Sequence, residues 1–402
     1  MIPYGKHYLD DEDIQSVIDV LKDGFLTQGP KVAEFEKVLA EKVGAKYAVA
    51  VSSGTAALHL ACLVADIKND SVVYTSANTF VASANCVLYA GGKPEFCDID
   101  SNTLNMSAEY LAEHVAKTGR MDAVIPVHFG GTPCDMVSIK TIADKYNAIV
   151  IEDASHAFGA KYPNGNHVGN CEYSNMTVFS LHPVKGVTAG EGGVITTNDI
   201  SLYKHLLSLR SHGICKGNFD LPGVSIGDGS LVYQDEASDD GILNPWYYEM
   251  QELGFNYRIT DFQCALALSQ LSKVDKFLAH RKKIASIYDK KLENFPNLTL
   301  PQVDSRSLSS LHLYVLRIDF DAIGKKRGRV MRELIDRNIG SQVHYIPVPF
   351  QPFYAEMGYK MSDYPETEKY YRQALTIPIY YGLSDDSIDE VVKALKDVLY
   401  LV

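Results

Sequence analysis

A chain of 402 residues, 46% hydrophobic and 22% charged, has the composition of an ordinary globular protein and the length for two domains. Its net charge of −12, from 50 acidic against 38 basic residues, argues against nonspecific binding to nucleic acid or an acidic membrane, yet allows a local phosphate pocket. No apolar run approaches the roughly 20 residues that span a bilayer, and the acidic opening MIPYGKHYLDDEDI, broken by Pro and Gly, does not read as a signal peptide. Seven scattered cysteines, none in a CxxC pair and most in apolar company, predict buried free thiols rather than disulfides or zinc ligands. The expectation is a cytoplasmic protein with no metal site.

Two amphipathic helices open the chain, DDEDIQSVIDVLKDG and, after LTQGP, PKVAEFEKVLAEKVG. Short apolar runs then alternate with helical patterns: KYAVAVSS with GTAALHLACLVA, SVVYTS with TFVASANCVLYAG, KPEFCDI with SAEYLAEHVAK, and DAVIPVHF with CDMVSIKTIADKY. AIVIEDAS, TVFSLH and GGVITTN supply further strands. Such alternation requires crossover connections, so the fold class is α/β, a mostly parallel sheet with helices on both faces. Ligands of these sheets gather at the carboxyl ends of the strands. Residues 216–244 are rich in Gly and Asp and read as a long surface-loop insertion. TDFQCALALSQLSKVDKFLAHRKKIASIYDKKLEN reads as one long helical segment, followed by a smaller lobe in which HLYVLRIDF, RGRVMRELIDRN, SQVHYIP, LTIPIY and SIDEVVKALKDVLYL alternate strands and helices. The expected division is therefore a large α/β domain over 1–255 and, over 256–402, the long helix with a small α+β domain.

Three strand ends carry candidate chemistry. In SSGTAALHLA, Ser53, Gly54 and Thr55 stand where a strand becomes a helix, a place suited to a phosphate; a plain N-cap satisfies the same pattern. In IVIEDASHAFGA, a strand delivers Asp153 to its end with His156 close behind; the carboxylate could cap a turn or pair with a ring cation. In VFSLHPVKGVTAGEGG, Ser180 and Lys185 follow a strand that Pro183 stops, and Gly186, Gly190, Gly192 and Gly193 allow sharp turns. That glycine run has neither GxGxxG nor GxxxxGK[ST] spacing, which excludes a nucleotide loop. A phosphate cradle, a strand-end Asp and a strand-end Lys on one sheet form the set that a pyridoxal phosphate site needs. Phe80, in SANTFVASAN, is either a ring for the pyridine face or a core aromatic.

With these motifs, and with LTQGPKVAEFE and GFNYRITDFQCALALSQL, nearly the whole chain resembles the DegT/DnrJ/EryC1/StrS family of sugar-nucleotide aminotransferases of fold-type I. TSANTFVASANCVLYAG, IPVHFGG, RSHGI, PWYYEMQELGFNYR and VHYIPV resemble its pseudaminic-acid branch in particular. The resemblance implies a seven-stranded-type sheet and pyridoxal 5′-phosphate covalently held by Lys185, with the pyridoxamine form in turnover. Asp153 would face the ring nitrogen, His156 would lie beside the ring, and Gly54, Thr55 and Ser180 would hold the phosphate. Asn256 would reach that phosphate from the second subunit of a homodimer. Substrate contacts would come from Tyr4, from the turn Gly24, Phe25, Leu26 and Thr27, from the strand His312, Leu313, Tyr314 and Val315, and from His344. The implied reaction moves an amino group from L-glutamate to C4 of UDP-2-acetamido-2,6-dideoxy-β-L-arabino-hex-4-ulose. Relatives that dehydrate at C3 carry histidine where this chain has Lys185, so the resemblance implies transamination. A sister enzyme acting on another UDP-4-keto sugar, of bacillosamine or legionaminic acid synthesis, and a non-catalytic regulatory relative are the competing readings.

Overall fold

A computed structural model describes residues 1–215, 246, 248–301 and 308–400; the expected 216–244 insertion lies outside the described residues. Helix α1 (Asp11–Asp23) is started by a reciprocal cap, in which the Asp10 carboxylate takes the Asp13 N–H and the Asp13 carboxylate takes the Asp10 N–H. Helix α2 (Pro30–Val43) has Pro at its first position and stops at Gly44, which adopts φ +83°.

The alternation read from the sequence then unfolds in order: β1 (Tyr47–Val51), α3 (Gly54–Val64), β2 (Val72–Ser76), α4 (Ala82–Tyr89), β3 (Lys93–Cys97) and α5 (Ala108–Thr118). It continues with β4 (Ala123–Ile125), α6 (Met136–Lys145), β5 (Ile149–Asp153), β6 (Met176–Ser180), β7 (Gly193–Thr197) and α7 (Ile200–Arg210). These strands make one seven-stranded sheet in the order β1-β7-β6-β5-β4-β2-β3. Only β7 runs against its neighbours, β1 and β6; the other pairings are parallel. Alternate residues of each strand enter opposite cores: Val49, Val51, Ile151 and Val178 pack with α3, α4 and α7, whereas Ala48, Ala50, Val150 and Phe179 pack with α2, α5, α6 and α8 (Asp261–Ser272).

A short ladder pairs β8 (Ile214–Cys215) with β9 (Glu249–Met250). The segment expected as one long helix is two, α8 and α9 (Val274–Leu292), because α8 packs on α1 and α2 while most of α9 faces a different core. Lys273, at the junction, reaches back to the Asp10 and Asp13 carboxylates at the start of α1. The remaining elements are β10 (Leu298–Thr299), β11 (Tyr314–Ile318), α10 (Arg327–Ile335), α11 (Pro352–Glu356), α12 (Pro365–Gln373), β12 (Ala374–Ile377) and α13 (Asp385–Tyr400). An antiparallel sheet, β10-β11-β12, packs with α9, α10 and α13.

Cys264, Ala267, Leu271 and Val274 belong to the large core, and the second core starts at Ile284. The two cores thus divide inside α9 rather than after residue 255. SQVHYIP adds only a single bridge, Gln342 to Thr376, instead of a regular element. Six cysteines are buried free thiols, namely Cys62, Cys86, Cys97, Cys134, Cys171 and Cys264. Among the described residues, no helix is long and apolar enough to cross a membrane.

Candidate active site

The β6–β7 connection carries Lys185. Antiparallel pairing of the two strands closes this loop at its base, where Leu181 N–H donates to the Gly192 carbonyl at 2.8 Å and Ala189 N–H donates to the Leu181 carbonyl at 2.9 Å. Inside it, Lys185 N–H donates to the His182 carbonyl at 2.8 Å, a tight turn that Pro183 sits within. The lysine amine faces a cavity of about 410 Å³. Burial lowers its pKa to about 8, with Asp153 pulling the other way, so about a tenth of the amine is neutral at pH 7.

Asp153 ends β5 and is held on both carboxylate oxygens. Ser83 Oγ donates to Oδ2 at 2.7 Å, and the Ser155 N–H donates to Oδ1 at 3.1 Å. Since the Ser83 proton is committed to Asp153, the Thr79 hydroxyl at 2.8 Å donates to Ser83.

Opposite lies the start of α3. Ser53 caps it by accepting the Ala56 N–H at 3.1 Å, while the first helical N–H groups have no partner within the helix. A side chain on Gly54 would bring its Cβ to 3.0 Å from Ser180 Cβ, and one on Gly193 would bring it to 2.4 Å from the Ser53 carbonyl. Glycine at both positions is what lets the lysine loop close on the helix terminus and leave a small polar cradle lined by Ser53, Thr55 and Ser180.

The far wall consists of rings. His156 and His312 stack with centroids 4.4 Å apart, and Tyr4 lies against His344 at 5.4 Å. Burial and the nearby Lys185 hold all three histidines neutral: His156 and His312 are pushed well below the usual imidazole value, and His344 is lowered to about 4. Phe80, 55% exposed, stands at the mouth.

Of the residues expected at the site, the cavity brings together Lys185, Asp153, His156, Ser53, Gly54, Thr55, Phe80, Ser180, Tyr4, His312 and His344. Others lie elsewhere. The period of two on β11 buries Tyr314 in the second core, its hydroxyl donating to Asp289 Oδ1 at 2.6 Å, and sends Leu313 and Val315 into a separate cluster with Phe129. His312, two residues before the strand, is the member that reaches the cavity. The turn Gly24, Phe25, Leu26 and Thr27 is fastened to α8 by backbone, the Leu26 carbonyl accepting the Asp261 N–H at 3.0 Å, with Phe25 and Leu26 turned to solvent. Asn256 is exposed, bridging Ser211 outside the cavity.

A family model described as the DegT/DnrJ/EryC1/StrS aminotransferase family matches residues 7–396. The chain belongs to that family. Spore coat polysaccharide biosynthesis protein SpsC of Bacillus subtilis is 38% identical to it over 99% of this chain and 97% of its own. The UDP-4-amino-4,6-dideoxy-N-acetyl-beta-L-altrosamine transaminase of Campylobacter jejuni is 34% identical over 100% of this chain and 97% of its own. The structure of Helicobacter pylori PseC, an aminotransferase involved in the biosynthesis of pseudoaminic acid, matches with a TM-score of 0.86 and 27% identity, covering 99% of both chains. Membership makes this protein a transaminase of the pyridoxal phosphate-dependent kind, and its cavity suits that cofactor: a depressed amine, a held carboxylate and a polar cradle of Ser53, Thr55 and Ser180 at a helix N-terminus.

Several groups of this aminotransferase escape a motif reading. Ser83 and Thr79 occur at helical spacing in SANTFVASAN, where attention falls on the aromatic between them. Tyr345 directly follows His344, and its hydroxyl meets His156 Nε2 at 2.9 Å. Glu152, next to Asp153 but on the opposite face of β5, accepts from His128 Nε2 at 2.7 Å, Tyr162 Oη at 2.6 Å, Ser174 Oγ at 2.5 Å and Thr177 Oγ1 at 3.0 Å. The Cys134 N–H donates to His128 Nδ1 at 3.0 Å, which leaves the imidazole neutral with its proton on Nε2. This buried network anchors the strand from behind.

Proposed function

We propose that the protein transfers an amino group from L-glutamate to C4 of a UDP-linked 4-keto-6-deoxy-N-acetylhexosamine, UDP-2-acetamido-2,6-dideoxy-β-L-arabino-hex-4-ulose, in pseudaminic acid biosynthesis. The observation that carries the transaminase chemistry is the convergence of Lys185, Asp153 and the α3 terminus on one cavity. The sugar is suggested by the Campylobacter jejuni relative, which aligns end to end at 34% identity.

Pyridoxal phosphate bound here would supply the electron sink that lets an amino group pass between an amino acid and a ketone. The α3 N-terminus, with Ser53, Thr55 and Ser180, would hold its phosphate. Asp153 would face the ring nitrogen, and the hydroxyl relay from Thr79 through Ser83 holds Asp153 in orientation. The Nζ of Lys185, more readily deprotonated than an ordinary lysine because it is buried, would bind the cofactor and then take and return the migrating proton. Phe80 would cover a ring face, and His156 would border it.

A homodimer with shared sites belongs to the same reading. Asn256, Phe25 and Leu26 are exposed and stand outside their own chain's cavity, where a second copy could present them to its partner. Mixing a Lys185→Ala chain with an Asn256→Ala chain tests this, since restored activity requires one intact site assembled from both.

SpsC, 38% identical and named for the biosynthesis of a different glycan, the spore coat polysaccharide, motivates a second reading, in which this chain aminates another 4-keto sugar. Assaying the two epimeric UDP-4-keto sugars with glutamate and pyridoxal phosphate separates them. Amination of the L-configured sugar is expected; amination of the D-configured sugar alone sinks the pseudaminic reading.

A further inference from the structure

His156 presents both ring nitrogens to fixed partners, and the consequence falls on Tyr345. The Gly130 N–H donates to His156 Nδ1 at 3.3 Å. An N–H group only donates, so Nδ1 carries no hydrogen. The ring is buried beside Lys185 and neutral, so its single proton is on Nε2. Nε2 lies 2.9 Å from Tyr345 Oη, which therefore accepts. The tyrosine's own hydrogen is left over, and among the described residues Oη has no second hydrogen-bond partner while its side chain lines the cavity.

The arrangement is held against reversal. Gly130 and Gly131 have φ +63° and +94°, which lets the loop after β4 press on His156. Ser310 Oγ donates to the His156 carbonyl at 2.6 Å, and a Cβ on Gly131 would meet that Oγ at 2.1 Å. His312, stacked on the imidazole, fixes its plane. A tyrosine O–H is thus aimed into a cavity whose far wall is neutral, with Lys185 the one Lys or Arg among its described lining residues. Neutral donors and rings suit the oxygens of a sugar better than the two carboxylates of an amino acid.

We propose that Tyr345 is a specificity-determining residue, donating a hydrogen bond to a hydroxyl or carbonyl oxygen of the sugar substrate. This rests on the proposed sugar amination, and deepens it by naming the group that reads the sugar. The test is Tyr345→Phe in the cofactor-loaded protein, following the half-reaction with glutamate and the half-reaction with the keto sugar separately. Calorimetric binding of UDP-N-acetylglucosamine and the absorption spectrum of the bound cofactor are recorded beside them. Loss of one such hydrogen bond predicts about tenfold weaker sugar KM and UDP-sugar binding. The glutamate half-reaction is expected to lose several-fold less than the sugar half-reaction. Unchanged sugar affinity overturns the proposal, as does an equal loss with glutamate. A wild-type protein that aminates neither epimer and binds no UDP-sugar fails both readings, whereas an active wild type with an indifferent Tyr345→Phe fails only this one.

Discussion

Ser83 Oγ donates to Asp153 Oδ2 at 2.7 Å, joining α4 to the end of β5 across the floor of the cavity. A hydrogen bond of this kind contributes about 1.5 kcal/mol, so Ser83→Ala should weaken cofactor retention about tenfold with the fold intact. Equilibrium titration of the cofactor-free protein with pyridoxal phosphate checks this, and Ser83→Thr should recover much of the loss.

Covalent capture of the cofactor should follow the Lys185 amine. Its pKa of about 8 means that the reactive neutral form grows as pH rises to that value and then levels off. The rate at which cofactor-free protein captures pyridoxal phosphate should therefore climb between pH 6 and about 8. A climb that continues toward the ordinary lysine value would show an unperturbed amine.

The histidine wall predicts loss of stability in acid. His344 titrates near 6.5 when unfolded and near 4 when folded, so between these values the unfolded chain holds more protons. Stability from this group rises with pH across that window and falls on acidification; His156 and His312 act in the same direction. Denaturant midpoints measured from pH 4 to 6.5 should slope upward, and His344→Asn should flatten part of the slope.

Glu152→Leu removes the shared acceptor of His128, Tyr162, Ser174 and Thr177. Stranding these buried donors should cost about 3–5 kcal/mol. Equilibrium denaturation should show the loss, with Glu152→Gln retaining a larger share of the stability.

The α/β architecture was legible because each strand of the large sheet is a short apolar run followed by an amphipathic helix, and pairing partners need not be known to read that rhythm. The antiparallel course of β7 follows from a close return after β6, which the Lys185 loop and its glycines hint at without specifying. The break at Lys273 was hidden: helical periodicity continues across it, and only the attachment to Asp10 and Asp13, some 260 residues earlier, distinguishes two helices.

At the site, motif residues on strand ends came together as expected, because a parallel sheet gathers its carboxyl ends. Tyr314 and its neighbours did not, since a strand sends successive side chains to opposite faces and both faces of β11 are buried in apolar packing. Ser83 and Tyr345 carry no signature of their own. Each matters through one hydrogen bond to a distant residue, a relationship that residue spacing does not encode.

The central claim is that the lysine of the β6–β7 loop holds the cofactor. Borohydride reduction of the pyridoxal phosphate-loaded protein, followed by peptide mapping, tests it most directly. A pyridoxyl group is expected on Lys185 and none on the Lys185→Ala variant; labelling at another lysine, or equal labelling of that variant, means that a different lysine holds the cofactor.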